Sequence, residues 1–267
     1  MIDGGQWRNE PAVVAGLVLL GWVYAILAGP LRGRLAPGEP FARAPAIRFY
    51  SALGLFYLAV GSPFGRLAVA FLFSAHMGQE LAIMYPVAAL ALSGVPSWMA
   101  DAALARPALR RPLGCLLHPL VCGALFVLVV TAWHMPRLFE SALEDESVHA
   151  AQHVLLFGVS LLFWWPLLSP SRVFPPLRFA GRMIYLFCIE VALTALFTYL
   201  LMADHPIYPT YEYAPRVVAG LSAIDDQVLG GILLSGVSSL VMVGFLGWSF
   251  FRWSKTDIHP NSPAARR

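Results

Sequence analysis

Residues 148–168 read VHAAQHVLLFGVSLLFWWPLL, and this stretch decides the fold because it joins a membrane-length apolar run to a pair of histidines. A transmembrane helix needs about 20 predominantly apolar residues, which this run supplies. On a helix, His149 and His153 lie on one face, one turn apart. Trp164 and Trp165 at the other end are typical of an aromatic belt at the membrane surface. Because histidine inside a membrane is costly unless it is partnered, the pair predicts a functional site.

The whole chain has the composition of an integral membrane protein. Of its 267 residues, 58% are hydrophobic and 12% are charged, and the mean hydropathy is +0.68. These values lie far outside the range of soluble domains, so we predict a single membrane domain over residues 1–267. The net charge of +3 is explained by membrane topology and gives no indication of nucleic-acid binding. Three cysteines do not indicate a disulfide framework.

Apolar runs along the chain predict an all-α, polytopic membrane fold with seven transmembrane helices. Glycine, serine and proline mark most of the breaks between the runs. The second run is the shortest, and tilting of its helix or extension of a flanking arginine to the surface would let it cross the bilayer. The predicted spans are residues 11–28, 46–61, 67–92, 113–133, 148–168, 181–202 and 228–251.

The distribution of basic residues predicts the orientation of the spans. Fourteen of the 18 arginines and lysines fall after spans one, three and five or in the C-terminal tail, and these segments share one side of the membrane. Positively charged loops remain in the cytoplasm. We therefore predict that the N-terminus is outside the cytoplasm and that the C-terminus is cytoplasmic.

This topology places most of the histidines near the outer side of the membrane. His76 and Glu80 are one helical turn apart in span three, His134 ends span four, and His149 and His153 begin span five. We predict that these five residues form a metal site. Imidazole with carboxylate suits zinc or copper, and thioethers would favour copper(I). The candidate thioethers are Met77, Met84, Met135 and Met202.

Other interpretations of the histidines remain open at this point. Each histidine, taken alone, is also explained as a polar group at the membrane interface. The set would also suit a haem- or quinone-binding membrane redox protein in which histidines are axial ligands. A membrane enzyme with histidine boxes needs more histidines than the chain offers. The sequence shows neither a nucleophile with its base nor a phosphate loop, so we predict a protein that is not an enzyme.

Several stretches, in order along the chain, carry a resemblance to a known family. They are Ser62-Pro63, LFSAHMGQE (72–80), SGVPSW (93–98), His118-Pro119, WHMPRLFESAL (133–143), the stretch 148–168, DDQVLGGILL (225–234) and Phe251-Arg252-Trp253. Together they resemble the multi-spanning bacterial CtaG proteins, which are associated with the assembly of cytochrome c oxidase and with copper delivery to it. The resemblance implies a seven-helix, multi-pass protein of the bacterial plasma (inner) membrane.

The resemblance also implies roles for particular residues and partners. It carries the family's histidines onto His76, His134, His149 and His153, and its Asp-Gln pair onto Asp226 and Gln227. Oxidase subunits or a copper chaperone are the implied partners, within the lipid bilayer. The chain departs from the family pattern in span three, where Glu80 stands in place of a histidine. Carboxylate is a ligand for zinc or copper(II) but a poor one for copper(I), so this departure bears on the metal and its oxidation state.

Overall fold

A computed structural model of the protein describes residues 7, 9–104 and 106–255. In this part of the chain the regular structure is helical and no strand occurs, which confirms the all-α class. The helices are α1 Pro11–Ala28, α2 Arg32–Leu35, α3 Arg43–Gly61, α4 Pro63–Ala70, α5 Phe73–Ala82, α6 Ala88–Ser93, α7 Ser97–Leu104, α8 Pro107–Leu116, α9 Pro119–Trp133, α10 Pro136–Glu144, α11 Glu146–Leu168, α12 Phe179–Leu201, α13 Pro209–Tyr213 and α14 Ala223–Trp253.

Several helices are long and apolar enough to cross a membrane. Within the described residues these are α1, α3, α11, α12 and α14, and a sixth span results if the bent pair α8 and α9 is counted as one. The chain is therefore a membrane protein with five or six candidate spans. The seven predicted spans are not confirmed, and two of them differ from the prediction in a physically informative way.

The predicted span 67–92 is divided among several helical segments. The chain leaves helical geometry at Phe71 and Leu72 after α4, and a new helix begins at Phe73. From there α5 continues into a π-helical turn, Ile83–Val87, and then into α6. Pro86 lies in that turn, where its missing N–H and its ring disturb regular α-helical hydrogen bonding. The continuous rod from α5 to α6 is about 31 Å long, so it begins later than the sequence pattern predicts.

The predicted span 113–133 is bent rather than straight. Helices α8 and α9 meet at an angle of 58°. Pro119 occupies the first turn of α9, where a missing N–H is tolerated. The preceding His118 caps this helix, since its Nδ1 accepts the N–H of Leu120 at 3.3 Å. His118 thus starts α9 two residues after α8 ends.

The core lies where α5, α9, α11, α12 and α14 meet. Helix α14 packs against both α5 and α12, and α11 packs against α9. Gly230 lets α14 approach α5 closely, because a Cβ at this position would overlap the ring of Phe73. Fully buried aromatic rings, including Phe126, Phe139 and Phe163, fill the space between these helices. This core holds α5 at a set depth and rotation.

Helix α1 is attached more loosely than the others. It packs on α3, and only 11% of its 18 residues are buried. Tyr24 anchors one end by donating its hydroxyl to the carbonyl of Gly94 at 2.9 Å. Tyr50 of α3 donates to the carbonyl of Gly21 at 2.9 Å.

Candidate metal site

Helix α5, which carries two of the predicted ligands, begins at a carboxylate supplied by α14. Asp226 Oδ2 accepts the N–H of Phe73 at 2.7 Å, and its Oδ1 accepts the N–H of Ser74 at 3.2 Å. The first N–H groups of a helix have no partner within the helix, so a buried helix start needs such an acceptor. Asp226 is fully buried and separated from these partners by about 150 residues. It fixes where α5 starts and so where His76 and Glu80 lie.

Glu80 is the centre of the cluster and is completely buried. Its Oε1 lies 3.3 Å from Nε2 of His76 and accepts the Nε2–H of Gln152 at 2.8 Å. Its Oε2 lies 3.5 Å from Nε2 of His134. One carboxylate thus contacts two histidines, one through each oxygen. We refer to His76, Glu80 and His134 as the Glu80 cluster.

The hydrogen bonds of Tyr211 assign the tautomer of His76. The Tyr211 hydroxyl lies 2.6 Å from the carbonyl oxygen of Ala68 and 3.0 Å from Nδ1 of His76. A carbonyl only accepts, so the single phenolic proton is donated to Ala68 and His76 Nδ1–H must donate to Tyr211. Burial raises the pKa of Tyr211 well above its usual range, which keeps this proton in place. In its neutral form His76 therefore directs the Nε2 lone pair at Glu80.

His134 is held in the same tautomer by a backbone group. Its Nδ1 lies 2.8 Å from the carbonyl oxygen of Val130, which requires an Nδ1–H donor. Its Nε2 then presents a lone pair to Glu80 and to Met77 Sδ, which is 3.4 Å away. Tyr208 donates to the His134 carbonyl at 2.8 Å and supports the chain at this point. Nδ1 of each histidine is thus held as a hydrogen-bond donor, and Nε2 of each faces an acceptor.

The Glu80 cluster brings electron-pair donors together without hydrogens between them. When both histidines are neutral, His76 Nε2 faces Oε1 and His134 Nε2 faces Oε2. Such contacts repel unless a positive charge lies between the atoms, because the groups are buried in an environment of low dielectric constant. An extra proton, on a ring or on the carboxylate, or a metal cation between the atoms would remove this repulsion. The arrangement is chemically suited to holding a cation.

His149 and His153 lie beside the Glu80 cluster rather than within it. The His149 ring centroid is 5.9 Å from that of His76, and the His153 ring centroid is 4.2 Å from that of His149. Both side chains are buried. Asp145 caps the start of their helix by accepting the N–H groups of Ser147 at 2.7 Å and Val148 at 3.1 Å. These hydrogen bonds hold the pKa of Asp145 below its usual value.

The separations of two pairs of these atoms are close to those between neighbouring ligands in a metal centre. Ligands about 2.0–2.1 Å from a tetrahedral metal are about 3.3–3.4 Å from one another, close to the two Glu80–histidine distances of 3.3 and 3.5 Å. Among the described residues, however, no group of three or more His, Cys, Asp or Glu side chains is already arranged to hold a metal. Each histidine contacts a different oxygen of Glu80. A metal would require the carboxylate or a ring to turn.

Two side chains that touch the cluster were not predicted from the sequence. Gln152 lies within the motif 148–168, between the two histidines of α11, so its position was an available signal. Tyr211 comes from the short helix α13, in a polar segment with no distinguishing pattern. Nothing in the local sequence indicates that its hydroxyl reaches across to α5.

Comparison with known proteins identifies the family of the chain. The model of the family described as cytochrome c oxidase caa3 assembly factor, Caa3_CtaG, matches residues 22–256. The chain belongs to this family. The Caa3_CtaG match confirms the resemblance found in the sequence and covers every residue of the Glu80 cluster. The description of the family is that of an assembly factor. No curated protein and no solved structure matches the chain significantly.

Proposed function

We propose that the protein assists oxidase assembly by holding a copper ion at the Glu80 cluster. It receives this ion from a copper chaperone or passes it to an oxidase subunit. The observation that carries the proposal is the pair of tautomers assigned by Tyr211 and by the Val130 carbonyl. They direct two imidazole lone pairs at one carboxylate, an arrangement that a cation completes. Copper is here the cargo of the protein.

The donor set supports copper and is also compatible with zinc. Imidazole binds either metal, the Glu80 carboxylate favours copper(II) or zinc, and the thioether of Met77 favours copper(I). An uncompensated charge is costly inside a membrane, so the net charge of Glu80 and its metal ion also matters. A monovalent copper ion would balance the single negative charge of Glu80, whereas a divalent ion would leave one positive charge. His149 and His153 provide the next imidazoles along α11 for a transferring ion.

The proposed location follows from the basic-residue pattern. The segments that are rich in arginine are expected in the cytoplasm, which places the Glu80 cluster near the outer side of a bacterial plasma membrane. An oxidase subunit that receives copper on that side would be able to dock there. Partner identity is open to a direct test by copurification.

Metal analysis of the purified protein tests the proposal. We expect about one bound copper per chain in the wild type and at least about 100-fold weaker binding in Glu80→Gln. Glu190→Gln is the matched control, because Glu190 is a carboxylate in α12 that contacts Ser239 away from the cluster. Equal copper binding by the wild type and Glu80→Gln would contradict the proposal. Absence of copper binding in the wild type would likewise contradict the proposal.

A genetic experiment tests the role in the cell. In a strain that lacks the gene, oxidase subunits should be present while oxidase activity is low, and added copper should restore activity at least in part. Expression of Glu80→Gln should fail to complement the deletion, whereas Glu190→Gln should complement it. Normal oxidase activity of the deletion strain in copper-limited medium would contradict the copper role.

A further inference from the structure

A cavity of about 500 Å³ lies between α1, α3, α6 and α11, outside the Glu80 cluster. Its volume is within the range of about 300–1,000 Å³ that is typical of ligand pockets. The cavity separates part of α1 from α11. Leu17 of α1 and Phe157 of α11 are among the residues on opposite walls.

The cavity is elongated along the helix axes. Its wall on α11 extends from Ala150 to Leu161, a rise of about 16 Å. Small residues on the other helices, among them Gly16, Ala52 and Ala91, keep it open along this length. The walls are almost entirely apolar. This shape suits the hydrocarbon chain of a lipid-soluble molecule.

One polar group lies on the cavity wall, one turn from the Ala150 end of its α11 side. Among the described residues that line it, His153 is the one whose side chain can form hydrogen bonds. His153 follows the first residue of α11 by seven positions, which places it about 10 Å along the helix from its start. In the predicted span 148–168, His153 lies deeper than the interfacial region that holds a charged phospholipid headgroup. The position favours a ligand whose polar end is uncharged and can lie within the membrane.

Aromatic rings flank His153 and narrow the choice of ligand. Phe56 contacts the His153 ring edge-on at 6.5 Å between centroids and contacts Phe157 at 6.0 Å in the same manner. The two phenyl rings can pack against a planar ring of a ligand, and the His153 imidazole can hydrogen-bond to an oxygen on that ring. We propose that the cavity binds an isoprenoid quinone, with its head ring against His153 and its chain between α1 and α11. This activity goes beyond the proposed copper role and does not depend on it.

The experiment uses the purified full-length protein in detergent and decylubiquinone as the probe. A ligand that binds the folded state raises the unfolding temperature in a concentration-dependent way, from which an apparent Kd is obtained. Decylbenzene, which has the same chain without carbonyl oxygens, is the comparison ligand. We expect a saturable rise with decylubiquinone and a clearly smaller one with decylbenzene. Equal effects of the two ligands would overturn the proposal and indicate an ordinary lipid chain in the cavity.

Two glycines provide a matched pair of variants. Both lie in helices with open space where a Cβ would be added, but Gly16 lines the cavity and Gly158 faces outward from α11. Gly16→Leu should weaken decylubiquinone binding at least about tenfold by filling the cavity, while Gly158→Leu should bind like the wild type. Unchanged binding in Gly16→Leu would overturn the proposal.

A third variant addresses the polar contact and serves if Gly16→Leu does not fold. His153→Leu keeps the cavity apolar and removes the imidazole. Loss of one hydrogen bond predicts decylubiquinone binding that is about fivefold weaker, with decylbenzene binding unchanged. An unchanged affinity for decylubiquinone in His153→Leu would contradict recognition of the head. Copper binding measured on Gly16→Leu should equal that of the wild type, which separates this result from the copper proposal.

Discussion

Tyr211 and His76 are joined by a hydrogen bond of 3.0 Å between residues 135 positions apart, and this bond sets the tautomer of the histidine. Tyr211→Phe removes the acceptor of the Nδ1–H and frees the ring to turn. We expect copper affinity to fall about 10- to 100-fold, the usual effect of losing a group that orients a metal ligand. Titration of the wild type and of Tyr211→Phe with copper under controlled redox conditions measures the two affinities.

The neighbouring Tyr213→Phe is the control for this prediction. Tyr213 lies in the same short helix and is 81% exposed, so its hydroxyl has no role in the cluster. Its substitution should leave copper affinity unchanged. Equal losses in the two variants would indicate that α13 as a whole, rather than the Tyr211 hydroxyl, supports the site.

Replacement of Glu80 by histidine tests whether its carboxylate binds the metal directly. A direct ligand sets the preference among metals, so Glu80→His should shift preference toward copper(I), and Glu80→Gln should lower affinity for every metal. If Glu80 only orients the histidines, Glu80→Gln should cost about 10- to 100-fold and Glu80→His should leave the preference unchanged. Competition between copper(I), copper(II) and zinc distinguishes the two results.

The cap that Asp226 provides to α5 should contribute strongly to stability. Asp226→Ala leaves the N–H groups of Phe73 and Ser74 buried without their acceptor, which should cost about 2 kcal/mol of unfolding free energy. Asp225→Ala is the matched control, because Asp225 is exposed and contacts Ser222 of its own helix. Denaturant unfolding in detergent provides the comparison. Similar losses for both variants would argue against a special role for the cap.

The close contact of α14 with α5 predicts opposite effects for two glycine substitutions in one helix. Gly230→Ala forces a methyl group against the Phe73 ring and should cost about 1–3 kcal/mol. A Cβ at Gly236 meets nothing within 4 Å, so Gly236→Ala should be neutral or stabilise by up to about 1 kcal/mol. Thermal unfolding of both variants measures the difference. A stable Gly230→Ala protein would mean that the helices separate easily.

The orientation predicted from the arginines is open to a reporter test. An enzyme that is active only outside the cytoplasm should be silent when fused after Arg267 and active when inserted near Glu144. The physical reason is the retention of positively charged segments on the cytoplasmic side. The reverse pattern would place the Glu80 cluster at the cytoplasmic side and would exclude delivery of copper from outside.

Local pattern predicted a substantial part of the site. The positions of His76 and Glu80, and of His149 and His153, on common helix faces follow from the helical period alone. The same pattern did not show the break at Phe71 and Leu72 or the bend before Pro119. Those breaks depend on where a helix finds acceptors for its first N–H groups. In α5 the acceptor comes from a distant helix.

The sequence by itself determined that the chain is a helical membrane protein and which polar residues enter its apolar segments. These properties follow from composition, hydropathy and period, which each segment carries independently of the others. Only the tertiary structure decided that Glu80 joins His76 to His134, while His153 turns toward an apolar cavity. The reason is that such contacts depend on the rotation and depth at which helices pack. Asp226 and Tyr211 set these quantities through hydrogen bonds that span more than half of the chain.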